Sequence, residues 1–229
     1  MLFVAYRLLV AAYTVTMTFV SMRLHTNPML PWPVWLTNWS YLLLTCHLLC
    51  AAVIVLLRTC FDQLQPTVPY SVLSASRSSS VPRYMKLSWF LFTVACPAAI
   101  GVTSVYFAAV FPQRHRDYLN AEDINLHVMN TMLVVLEYTL SAFPVRLLHL
   151  VYLWCYASAY VIFSAIYWAF DHSRVMYPGV LDWNTPARTG VVLAVLAFVG
   201  LPMLQFILFG VYQLRKYIYN HCACRQSND

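Results

Sequence analysis

Six long apolar runs, almost free of charge and separated by short polar connections, govern what this chain can become. They extend from Leu2 to about Met22, Trp35 to Leu57, Leu87 to Phe111, Ile124 to Ala142, Leu147 to Phe170 and Thr189 to Leu214. A membrane-crossing helix needs about 20 predominantly apolar residues, because its backbone polar groups must be satisfied inside the segment. Of the 229 residues, 61% are hydrophobic and 10% charged, against about 25% charged in an average soluble domain. One water-soluble core could not hide so much apolar surface, which excludes a globular cytosolic enzyme. The same balance excludes intrinsic disorder, and the lack of ten-residue alternating segments excludes a transmembrane barrel. The expected fold is an all-α membrane bundle of six transmembrane helices (residues 1–214) followed by a basic, cysteine-containing tail (residues 215–229).

The first run lacks a basic region before it, and it ends on Arg23-Leu24-His25 rather than a small-residue cleavage site. It therefore reads as a membrane helix and not as a signal peptide. The fourth run is the least apolar and the one a hydropathy plot would miss. The proline-rich stretch Asn27 to Pro33 should not be helical and should lie along the interface. Ser71 to Arg83, with six serines, reads as a loose link. A few residues around Pro144 join runs four and five, which should be antiparallel neighbours. Pro97 and the Gly200/Pro202 pair should kink runs three and six.

Basic residues set the orientation. The side shared by both termini collects eight (Arg58, Arg77, Arg83, Lys86, Arg146, Arg215, Lys216, Arg225), and the other side collects five (Arg23, Arg114, Arg116, Arg174, Arg188). Both termini are accordingly expected in the cytoplasm. The net charge of +6 then points to anionic lipid head groups rather than nucleic acid as the partner. Cys46, Cys50, Cys96 and Cys155 lie within apolar runs and read as small buried hydrophobes. In the tail, His221-Cys222-Ala223-Cys224 beside Arg215 and Lys216 suits lipidation of Cys222 and Cys224 better than metal binding. No spacing suggests a disulfide framework or a zinc site. No nucleotide-binding, zincin or glycine-rich phosphate motif occurs, so no metal and no cofactor is expected.

An ionisable side chain inside a membrane span marks a site by default. On run four, His127, Asn130, Val134, Glu137 and Ser141 recur at helical spacing and share one face, which should look into the bundle. Arg7, one to two turns into run one, should pair with Glu137, with Arg146, Tyr138 and His149 as competing partners. Thr37 enters run two, and His127 enters run four, from the same side and at depths that agree to within a few ångströms. A threonine hydroxyl needs a base to become a nucleophile, and histidine is the usual one. The bland alternative is interhelical hydrogen bonding. The sequon Asn38-Trp39-Ser40 sits at the membrane edge and reads as a chance match. The stripe Tyr152, Tyr156, Tyr160, Phe163 and Tyr167 on run five reads as ordinary packing, and His47 and His149 read as solitary structural histidines. Internal repeats are lacking, and the charged positions form no continuous polar path, which disfavours a transporter.

The stretch Asp123-Ile124-Asn125-Leu126-His127-Val128-Met129-Asn130-Thr131, followed by Phe143-Pro144-Val145-Arg146-Leu147-Leu148-His149, resembles the rolling stone family of animal membrane proteins. The similarity begins at Leu36-Thr37-Asn38-Trp39 and continues through Ala165-Ile166-Tyr167-Trp168 and Tyr177-Pro178-Gly179-Val180-Leu181-Asp182-Trp183. It leaves out the first run and the tail. That family's founding member is associated with myoblast fusion, so the resemblance implies a multi-pass membrane protein acting in cell-cell adhesion or fusion.

The family is in turn similar, more distantly, to the androgen-induced membrane proteins, which hydrolyse fatty acid esters of hydroxy fatty acids with one threonine and one histidine. Carried across, that resemblance assigns Thr37 as nucleophile and His127 as base. Asn38 or Asn130 would then donate to the oxyanion, and a lipid ester would be the substrate. Asn130 stands where those hydrolases have a second histidine, and Asn38 and Trp39 also depart from their pattern.

Overall fold

A computed structural model describes residues 2–25, 30–64, 82–113, 118–141 and 143–226. The chain is helical almost throughout: α1 (Leu2–Leu24), α2 (Leu36–Leu64), α3 (Arg83–Gln113), α4 (121–140), α5 (Leu147–Phe170) and α6 (Pro186–His221, its last turns reaching Gln226). Among the described residues, α1, α2, α3, α5 and α6 are long and apolar enough to cross a membrane. Helix α4 has 20 residues, about 30 Å at 1.5 Å per residue, but carries Glu122, Asp123, Asn125, His127, Asn130 and Glu137. Its low hydropathy follows from turning those side chains inward, since Asp123, Asn125, His127, Asn130 and Glu137 are all buried. The expected loose link between α2 and α3 lies mostly outside the described residues, as do Arg77, Arg114 and Arg116.

Local chemistry explains the ends. Helix α4 starts one turn before Ile124, because Asn120 and Asp123 form a reciprocal capping box: the Asp123 N–H donates to Asn120 Oδ1 (2.7 Å) and the Asn120 N–H to Asp123 Oδ2 (3.3 Å), which satisfies two donors that a helix start leaves open. Helix α6 likewise starts earlier than Thr189, at Pro186, where a missing N–H costs nothing. Helix α6 also passes through Arg215 and Lys216 without a break, so these basic residues extend a helix. The proline-rich connection departs from expectation. Trp32–Val34 forms a 3₁₀ turn, and Trp32 is buried rather than laid along an interface, as is the following Val34. The turn tolerates Pro33 in its first positions, and it is drawn inward because Trp32 Nε1 donates to Ser21 Oγ (3.0 Å) and Asn38 Nδ2 to the Trp32 carbonyl (2.7 Å).

Three helices carry π-type turns: Tyr106–Val110 in α3, Ile124–Met129 in α4 and Leu196–Gly200 in α6. The last ends just before Pro202, whose missing N–H lets the hydrogen-bond ladder shift register. Helix α2 packs between α1 and α3. The central core gathers Leu44 and Leu48 of α2, Phe92, Ala95 and Ala99 of α3, and Leu133 and Val134 of α4. A second cluster, at the other end, joins Val34, Tyr160, Met176 and Leu181. Tyr160 of the α5 stripe belongs to it, packing edge-on against Trp39 at 5.4 Å and donating to the Val34 carbonyl (2.8 Å).

Candidate functional site

Helix α1 buries only Arg7, Ala11, Thr14, Thr18 and Ser21, spaced four and three residues apart along one face. Four of the five are polar: Arg7 and Ser21 reach α4, Thr18 reaches α2, and Thr14 donates to its own helix. At one end the Arg7 guanidinium donates to Glu137 Oε1 and, at 2.9 Å, to Ser141 Oγ. His47 Nε2 of α2 lies 3.2 Å from Glu137 Oε2, and Ser141 Oγ donates to the same oxygen at 2.7 Å. Glu137 is 0% exposed. A carboxylate there would be prohibitive alone and is tolerable with an arginine, an imidazole and a hydroxyl around it. The expected Arg7–Glu137 pair is therefore present. Arg146, a competing partner, instead lies over the Trp89 ring at 5.5 Å. Arg215 of α6 closes this end by donating to the carbonyls of Tyr138 and Ser141, where α4 runs out of intrahelical donors.

Midway along the face, Thr18 and Thr45 hydroxyls are 3.3 Å apart. Asn130 is 0% exposed, and neither its Oδ1 nor its Nδ2 has a hydrogen-bond partner among the described residues. Toward the far end, Asn125 Oδ1 accepts from Tyr13 (2.8 Å) and Tyr41 (3.3 Å) hydroxyls. Ser21 Oγ reaches Glu122 Oε1 at 3.3 Å. All five residues of the expected α4 face, His127, Asn130, Val134, Glu137 and Ser141, are buried.

Thr37 and His127 both lie at this far end but in different company. The half-buried Thr37 side chain is hydrogen-bonded to the Tyr177 hydroxyl, which also accepts from the Leu36 N–H at 3.0 Å. Enclosure of that hydroxyl pushes the Tyr177 phenol up from its ordinary value. His127, 3% exposed, stacks face to face on Tyr106 with ring centroids 3.6 Å apart and planes at 10°. The two stacked residues sit on facing π-type turns, and the Thr103 hydroxyl reaches the His127 carbonyl at 3.5 Å. No hydrogen bond joins Thr37 to His127 among the described residues. Asn38 is buried, its amide nitrogen held by the Trp32 carbonyl, so its sequon is not presented to solvent. Cys222 and Cys224 lie on the last turns of α6. No group of three or more metal-ligating side chains occurs among the described residues.

Three participants escape a reading of the sequence alone: His47 at Glu137, Tyr177 at Thr37, and Arg215 at the end of α4. His47 has a usable signal, being an ionisable residue about as far into the second apolar run as Glu137 is into the fourth. Tyr177 and Arg215 have none, since their partners are set by how a connection and a distant helix fold back.

No solved structure matches the chain. The curated protein "Protein rolling stone" of Drosophila melanogaster is 28% identical over 193 residues, which cover 80% of this chain and 67% of that protein. A family model described as "Protein rolling stone" matches residues 1–226, taking in the first helix and most of the tail that the motif resemblance left out. With the family match running through all six helices and the whole polar face between α1 and α4, this chain belongs to the rolling stone family.

Proposed function

We propose that the chain is a non-enzymatic organiser of the membrane in cell-cell adhesion or fusion, a multi-pass protein with both termini cytoplasmic. The observation that carries this reading is the disposition of the polar side chains. Glu137 is satisfied by three elements of the bundle, whereas the Thr37 hydroxyl is engaged by a phenol and not by His127. Buried polar groups used in this way hold helices in register. The cytoplasmic surface would meet anionic lipid through Arg215 and Lys216, with Cys222 and Cys224 as lipidation sites.

A second reading, a threonine-dependent hydrolase of fatty acid esters of hydroxy fatty acids, is favoured by one observation. Thr37 lies at the same end of the bundle as His127, in a polar setting that fixes its hydroxyl. In that mechanism His127 takes the Thr37 proton as the oxygen attacks the ester carbonyl, and Asn38 or Asn130 donates to the oxyanion. The ester C–O bond then breaks, the hydroxy fatty acid leaves with the proton returned by His127, and water hydrolyses the acyl-enzyme.

The test is rescue of fusion or aggregation in cells lacking the protein. Under the organiser reading Thr37→Ala rescues as wild type does and Glu137→Ala does not. Hydrolysis of such esters by the purified wild-type protein, abolished in Thr37→Ala, would overturn it in favour of the hydrolase.

A further inference from the structure

Away from the polar face, α3 and α6 enclose a second feature. The two helices touch at Gly101, where an added Cβ would stand 3.4 Å from Leu204 Cδ2. From there toward Gln113 and Arg188 they leave a groove of about 420 Å³. Its walls are apolar: Val105, Ala108 and Ala109 on α3, Val192 and Leu196 on α6. Each wall carries one of the π-type turns, Tyr106–Val110 and Leu196–Gly200, a distortion that recurs at functional sites. The connection before α6 covers the mouth, and Gly179 is the residue that lets it do so. At φ +74° it adopts a conformation that other residues rarely take, and a Cβ there would stand 3.2 Å from both Arg188 Nη2 and Gln113 Oε1.

Among the described residues the mouth holds one cation. Arg188 is exposed and makes no hydrogen bond or ion pair among the described residues. Gln113 lies beside it, one Nε2 hydrogen donated to the Ala109 carbonyl at 2.7 Å, and no carboxylate lines the groove among the described residues. An apolar slot with a few convergent polar groups at one end is the form of a small-molecule site, and its volume is within the usual range of about 300–1,000 Å³. From Arg188 to Leu196 the slot runs about 12 Å along the helix axis.

We infer that this groove binds a fatty acid, its carboxylate on Arg188 and Gln113 and the carboxyl-proximal part of its alkyl chain between α3 and α6. A guanidinium fork with one neutral amide matches the two oxygens and single charge of a carboxylate. A phosphate would call for more donors, and a two-chain lipid would need a second lobe. A partner helix, about 10–12 Å across with its side chains, does not fit under the Gly179 connection. The inference concerns a surface remote from Thr37 and holds whether or not the chain hydrolyses esters.

The test uses the full chain in phosphatidylcholine nanodiscs and a photoactivatable palmitic acid analogue, with labelled peptides mapped by mass spectrometry. Label should concentrate on Val105–Gln113 and Arg188–Leu196. Palmitate should compete at least about tenfold better than hexadecanol, since the alcohol lacks the charge-assisted bond to Arg188. Arg188→Gln should cut labelling about tenfold and Val192→Trp should remove it, while Val191→Trp, at a neighbouring lipid-exposed position, leaves it intact. Label spread evenly over the exposed helices, or equal competition by acid and alcohol, overturns the inference. Stronger competition by a lysophospholipid than by palmitate also overturns it, in favour of a phospholipid site. The competition arm uses wild-type protein and stands even if a variant fails to fold.

Discussion

The two ends of the polar face between α1 and α4 are built from similar residue types and come out differently. At one end Arg7 of α1, His47 of α2 and Ser141 at the end of α4 itself converge on Glu137. At the other, Thr37 and His127 have separate partners, a phenol for one and a stacked tyrosine ring for the other. Matching depth suggests both pairings. Depth alone cannot tell them apart, because two residues at one level of a bundle meet only if their helices also turn them toward each other. Opposite charge supplies the missing discrimination: an unpaired Arg7 or Glu137 would be so costly in hydrocarbon that the bundle must bring them together. A threonine hydroxyl exerts no such demand on an imidazole.

This contrast can be broken most forcefully at Glu137. Glu137→Ala leaves Arg7 and His47 without their carboxylate and should destabilise the protein by about 3–5 kcal/mol, seen as loss of monodisperse protein after extraction. Arg7→Met combined with Glu137→Leu should recover much of that loss, with a coupling energy above about 1 kcal/mol. Equal damage in the single and double variants would deny that the pair is the reason these charges are tolerated.

His127→Ala should cost about 2–3 kcal/mol through lost packing and the lost stack on Tyr106, and His127→Phe should restore most of it. A base required for chemistry would show the opposite pattern, with phenylalanine as inactive as alanine and little change in thermal unfolding.

Asn130 sharpens the comparison from the middle of the face. Its amide lacks hydrogen-bond partners among the described residues, so Asn130→Leu should keep or raise the unfolding temperature, by an amount equivalent to about 1 kcal/mol. A clear loss of stability would mean that the amide is satisfied in the working protein.

The smallest effect is expected at Thr37. Thr37→Ala removes one hydrogen bond to Tyr177 and should cost about 1 kcal/mol. Combined with His127→Ala it should be additive to within about 0.5 kcal/mol, as for independent sites. Strong coupling between the two would instead join them into one site at this end of the bundle.

The sequence makes some of this legible and not the rest, for physical reasons. The α4 face can be read because a helix imposes its own spacing, so His127, Asn130, Glu137 and Ser141 have to share a side. The Arg7–Glu137 pair follows from the cost of isolated charge. Trp32 is expected at an interface and found buried, because its burial depends on Ser21 and Asn38, which belong to the helices on either side. The groove under Gly179 leaves no trace in hydropathy, since it depends on how far α3 and α6 diverge. Arg215 counts in the sequence only as a basic residue near a membrane; its role at the end of α4 needs the whole chain.

The distance along the chain between Arg7 and Glu137, 130 residues, has a consequence for how the protein is made. At about 5–20 residues per second, translation places Glu137 roughly 7–26 seconds after Arg7. During that interval the first helix carries a cation with no counter-charge, although Thr14 and Thr18 already donate to carbonyls of their own helix. The unpaired Arg7 penalises the partition of this otherwise apolar segment into lipid. Its stable residence in the bilayer is therefore decided late, when the fourth helix emerges, and any insertion machinery that serves this chain must shelter α1 until then.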